Sequence, residues 1–158
     1  MNAQIKEFWD LNRMYTPLRD ELLEAITDED LAFTPGGGNP TLGELCRELG
    51  ETQYAYAQSF KTFQVDFSYR TNDDAYLTSI AKLKTWYKQL DAELEAALEA
   101  VTDEDVAEKQ MDRGGYMVPV HISLDILREA LLIFYGKVSV YAKAMDKPLT
   151  QMWRDWIA

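Results

Sequence analysis

The stretch LDILREALLIFYGKVSVYAKAM, Leu124 to Met145, decides the fold. Its apolar positions Leu124, Leu127, Leu131, Phe134, Val138, Tyr141 and Met145 are separated by alternating steps of three and four. That is the spacing of one helix face. Three earlier stretches repeat it. The first carries Ile5, Phe8, Leu11, Tyr15, Leu18, Leu22 and Ile26. The second carries Leu42, Leu45, Leu49, Thr52, Tyr56 and Phe63, and the third Ile80, Leu83, Tyr87, Leu90, Leu94, Ala97 and Val101. No single stripe can bury itself. Together they predict one all-α domain over residues 1–158, a four-helix bundle with helices at about 3–26, 41–63, 79–101 and 123–146 and a tail at 149–158.

The connections refine this. Pro17 lies inside the first helix and predicts a kink near Arg13 to Pro17, or a complete break into two helices. Thr41 with Glu44 three residues on is a capping box that opens the second helix. Gln64 to Thr78 has no helical period and is long enough to join two parallel neighbours in an otherwise up-down bundle, with Val65 to Tyr69 briefly extended. Tyr116 to His121 reads as irregular or briefly extended. The tail holds Met152, Trp153, Trp156 and Ile157, which predicts that it folds back on the bundle or joins a subunit contact.

Composition excludes several function classes. Apolar residues make up 47% of the 158, which excludes a disordered chain. The longest apolar run, Ala130 to Phe134, is far below the ~20 residues of a membrane span. The first residues, MNAQIKEFWD, do not predict a signal peptide. One cysteine, Cys46, forbids an intrachain disulfide and suits a reducing, cytoplasmic setting. A net charge of −11 repels phosphate backbones and predicts no nucleic-acid partner.

Two motifs invite ligand readings that their residues do not support. Thr27-Asp28-Glu29-Asp30 and Thr102-Asp103-Glu104-Asp105 each follow a long helix. Neither has the glycine and distal glutamate of a calcium loop, so capping explains them. Pro35-Gly36-Gly37-Gly38-Asn39-Pro40 lacks a following Gly-Lys-Ser/Thr, so it reads as a connector.

The order of parts resembles the DinB/YfiT-like superfamily of four-helix bundles. The resemblance rests on TDEDLAFTPGGGNPTLGELCRELGE, the recurring VTDEDV, and SLDILREALLIFYGKVSVYAKAMDKP. Members commonly show xGELLxHL opening the second helix and HxxxHRGQ in the fourth. The resemblance implies a metal site of three histidines. Carried over by position, Glu48, Ala130 and Phe134 stand where those histidines would be. Two of the three have no donor atom, so the sequence predicts a scaffold without the metal and without a cofactor. Several members are metal-dependent thiol transferases or isomerases, whose chemistry relies on that ion.

What remains is sparse. Cys46 shares a stripe with Leu45 and Leu49 and reads as packing, which disfavours a dyad with His121, the only histidine. Glu48 sits at the stripe edge with Arg47, Glu51, Tyr135 and Lys137 as candidate neighbours. It is either a rim carboxylate or the polar handle of a pocket between helices. The candidate pocket comprises Glu48, Thr52, Ala130, Phe134, Tyr135 and Lys137, with Tyr54 and Tyr56 as possible lining. The expected function is non-catalytic binding of a small ligand or partner by a homodimer. The alternative is a metal-independent relative of the thiol-dependent transferases, using Glu48 or His121.

Overall fold

The computed structural model describes residues 1–157. Its first helical position is broken, not kinked: α1 spans Ala3–Arg13 and α2 spans Thr16–Ala25. Pro17 sits in the first turn of α2, where a missing N–H leaves no ladder bond unmade. The break exposes the Tyr15 carbonyl, which accepts the Tyr135 hydroxyl at 2.9 Å. It also changes the inward face. α1 buries Ile5, Trp9 and Asn12, so Leu11, expected inside, is 42% exposed.

α3 spans Leu42–Thr62 and opens on Thr41 and Glu44, with both halves of the capping box formed. α4 spans Ile80–Ala100 and is capped by Ser79. A short α5, Asp103–Glu108, is capped by the second Thr-Asp-Glu-Asp phrase, and α6 spans Ile122–Ala144. Between them lies an antiparallel ribbon of β1, Gln110–Asp112, and β2, Met117–Pro119, with Met111 opposite Val118. Among the described residues this ribbon, joined by a parallel bridge between Asp112 and Gln64, is the β structure in an otherwise helical chain. Gly114 and Gly115, both at positive φ, make its turn. Met111, Val118 and Val120 are then buried beneath it, closing one end of the core.

Pairs of contacting residues give the directions. Tyr87 donates to the Cys46 carbonyl at 2.6 Å and Gln53 to Asp91 at 2.6 Å, so α3 and α4 run parallel. Arg19 meets Asp91 and Glu24 meets Lys84, so α2 opposes α4. Tyr141 donates to the Pro40 carbonyl, while Thr52 lies beside Ala130, so α6 opposes α3. The order is up-down-down-up, and the 63–79 segment makes the long crossing. It lies along α3, with Tyr69 stacked on Tyr54 at 4.0 Å.

Glycines set two of these close approaches. A Cβ on Gly43 would stand 2.3 Å from the Leu77 carbonyl, and one on Gly50 2.3 Å from the Trp86 ring. The glycine of the Thr-Leu-Gly-Glu-Leu phrase thus lets the end of the crossing rest on α3. The tail folds back as α7, Gln151–Trp156, with Trp153 1% exposed and its indole N–H donating to the Leu18 carbonyl. Among the described residues, no helix is long and apolar enough to cross a membrane.

Candidate functional site

The capping box fixes where α3 begins and hence which side chains reach its edge with α6. Leu45 and Leu49 point into the core, and Glu48 and Thr52 stand on the rim one step round the helix. Across from them α6 presents Ala130, Ile133, Phe134 and Lys137. These eight side chains line a groove of about 170 Å³. Glu48 and Thr52 are shared with a second hollow of about 370 Å³, walled by Pro40, Glu44, Arg47, Glu51, Phe67 and Arg70. The groove is apolar at its floor and charged at its mouth.

Five of the six residues singled out from the sequence therefore meet at one place: Glu48, Thr52, Ala130, Phe134 and Lys137. Tyr135 does not. It is fully buried on another side of α6, with its hydroxyl on Tyr15 and its ring edge-on to Trp153. One residue along a helix turns the side chain by about 100°, enough to move it from groove to core. Tyr54 and Tyr56 are also elsewhere. Tyr54 stacks on Tyr69, and Tyr56 accepts a hydrogen bond from Arg113.

The carboxylates differ in what they already hold. Glu44 is occupied by the capping box, where its contact with the Thr41 amide helps hold its pKa below the usual carboxylate range. Glu51 is 7% exposed, accepts the Thr71 amide at 3.1 Å, and lies near Arg70 and Arg47. Arg47 divides itself between Glu51 and Asp74. Glu48 is exposed and has no ion-pair or hydrogen-bond partner among the described residues, and neither has Lys137. Phe67 and Arg70 belong to the wall yet were not legible beforehand, since the crossing has no periodicity to aim its side chains.

A family model described as the DinB superfamily matches residues 17–131. The chain belongs to the DinB superfamily. A solved structure of a DinB-like protein, YjoA, from Bacillus subtilis is similar over 95% of this chain and 94% of that one, at 20% identity and a TM-score of 0.67. No curated protein matches the chain.

In this DinB-superfamily member the three positions at which the resemblance implies histidines all face the groove, as Glu48, Ala130 and Phe134. Only Glu48 carries a donor atom. Among the described residues no three His, Cys, Asp or Glu side chains gather to hold an ion. A divalent ion with about three protein ligands does not fit this donor set.

The other candidates lie apart. Cys46 is 1% exposed, and burial pushes its thiol up to about 12, so it is no nucleophile at neutral pH. His121 stands at the start of α6 with its ring against Phe8. Lys137, at the groove, is about 24 Å further along the helix. No Cys46–His121 dyad is assembled, nor does His121 reach Glu48. A further depression, walled by Trp9, Arg13, Asp20, Asp91 and Glu95, has its acids already engaged: Asp20 and Asp91 by Arg19, Glu95 by Arg13.

Proposed function

We propose that this DinB-superfamily chain is a non-catalytic receptor for a small amphipathic amine. The amine's apolar body lies on Leu45, Leu49, Ala130, Ile133 and Phe134, with its ammonium on Glu48. The observation that carries this reading is the unpartnered Glu48 carboxylate over an apolar floor. A cation brought to it gains a charge-assisted hydrogen bond without breaking an existing pair. Lys137 on the opposite rim adds a site for a carboxylate or hydroxyl on the same ligand. The groove is smaller than the ~300–1,000 Å³ of drug-sized pockets, which favours a small ligand. Non-catalytic use is supported by the site's chemistry: it holds a carboxylate and an ammonium, with no nucleophile–base pair and no donor set for a Lewis acid.

The test is thermal unfolding of the full chain with hexylamine, hexanol and a low-molecular-weight thiol at equal concentrations. Hexylamine should raise Tm, hexanol should raise it much less, and Glu48→Gln should remove the difference. Equal stabilisation by alcohol and amine, or an unchanged response in Glu48→Gln, overturns the reading. Stabilisation by the thiol alone would return the site to thiol chemistry. Stoichiometric zinc or nickel in untagged protein, lost in Glu48→Gln, would overturn the metal-free assignment.

A further inference from the structure

We propose that a cavity at the centre of the bundle is a second binding site, which takes the hydroxyl of a small neutral alcohol admitted from the surface beside α1. The cavity measures about 20 Å³ and lies where α1, α2, α3, α4 and α6 converge. Its polar walls are Asn12, Thr16, Arg19, Gln53, Asp91 and Tyr135. It shares no residue with the groove between α3 and α6, so it is independent of the amine reading.

Asn12 is the first reason to expect a ligand there. It is 2% exposed, and its amide nitrogen donates to the carbonyls of Phe8 and Leu124, each at 2.9 Å. Two carbonyls on the nitrogen fix which way the amide points. Its oxygen is then left at the cavity wall, and no group among the described residues donates to it. A buried acceptor without a partner is costly, so the cavity calls for a donor. About 20 Å³ takes one group the size of a water molecule. Charge selects which donor it is. The Arg19 guanidinium borders the same space and would repel an ammonium. A hydroxyl donates to Asn12 Oδ1 and accepts from Thr16 without adding charge.

The adjoining surface has room for the rest of the molecule. The depression walled by Trp9, Arg13, Asp20, Asp91 and Glu95 measures about 380 Å³, and it shares Trp9, Thr16 and Asp91 with the cavity. Asn12 and Thr16 stand on either side of the break between α1 and α2, so the break is where the cavity comes nearest to that surface. Charge around the two spaces balances: Arg13, Arg19 and Lys88 are matched by Asp20, Asp91 and Glu95. A net charge of either sign therefore gains nothing, which favours a neutral ligand. Pro17 and Ala92 offer apolar contact to its carbons.

The test is an NMR titration of the full chain with ethylene glycol and with its dimethyl ether, following the Asn12 side-chain amide and the Trp9 indole N–H. Ethylene glycol should move both resonances along a curve that saturates in the millimolar range, and the ether, which has no donor, should not. Ala92 is exposed, so Ala92→Trp should leave the circular dichroism unchanged while it narrows the depression and abolishes the shifts. Thr16→Val should weaken glycol binding about three- to tenfold. Shifts that grow with glycol without saturating would mean that the cavity holds water alone, and would overturn the proposal. So would equal responses to glycol and ether, an Ala92→Trp response like wild type, or a Thr16→Val affinity equal to wild type.

Discussion

Phe134 and Tyr135 are neighbours in the chain, yet one faces the groove and the other fills the core. Side-chain direction at that scale follows from helix phase, and an uncertainty of one position reverses the reading. Hydrogen bonding within a single turn is equally local. Asp105 bonds Lys109, and it accepts the Thr102 amide and hydroxyl; together these lower its pKa to about 2. The folded value lies below the ordinary carboxylate value of about 3.9, so the ionised form favours folding. That contribution is complete above about pH 4 and is lost as pH falls through about 2. Asp105→Asn should therefore unfold earlier than wild type in urea at pH 6, and the two midpoints should converge near pH 2. A gap that persists at pH 2 would assign the effect to shape instead of charge.

Among the elements, α7 most clearly depends on one side chain. Trp153 is 1% exposed against Leu18 and Tyr135, whereas Trp156 is 43% exposed and only edges Tyr15. Trp153→Ala should cost about 3–5 kcal/mol in urea unfolding, and Trp156→Ala about 1 kcal/mol or less. Similar losses for both would mean that α7 docks through its outer face. The long helices were legible because each carries a sustained stripe, and the α3 start because Thr41 and Glu44 spell out its cap. The break at Pro17 was legible as a position but not as a shift of face, so Leu11 was placed inside when Trp9 and Asn12 took that role. The ribbon was legible only in part: Tyr116 to His121 reads as irregular or briefly extended and holds β2, but its pairing with Gln110–Asp112 could not be read. Met111 and Val118 become a buried pair only when two strands meet across a turn, and neither segment has a period of its own. The groove followed the same division. Its α3 and α6 walls came from helix phase, while Phe67 and Arg70, which wall the adjoining hollow, come from a crossing whose path is set by α3.

Over the whole molecule, charge is the least balanced quantity. The net charge is −11, and three of the ion pairs, Lys6 with Asp10, Arg13 with Glu95 and Lys84 with Glu24, have both side chains exposed. Such pairs contribute about 0–1 kcal/mol each. α4 carries its lysines early and its glutamates late, against the helix dipole. Its antiparallel neighbours make use of that order, since Glu24 meets Lys84 and Arg13 meets Glu95. The surplus of carboxylates has no such partner. A chain of this length has a radius of gyration of about 15 Å. At 0.01 M salt the Debye length is about 30 Å, so every unpaired carboxylate feels all the others; at 0.15 M it is about 8 Å. Repulsion across the molecule is then screened, while pairs in contact are weakened less. Tm should therefore rise with sodium chloride up to about 0.15 M, with most of the rise at the lowest concentrations. A Tm that falls over this range would show that the surface pairs outweigh the repulsion, contrary to the balance of charges in the sequence.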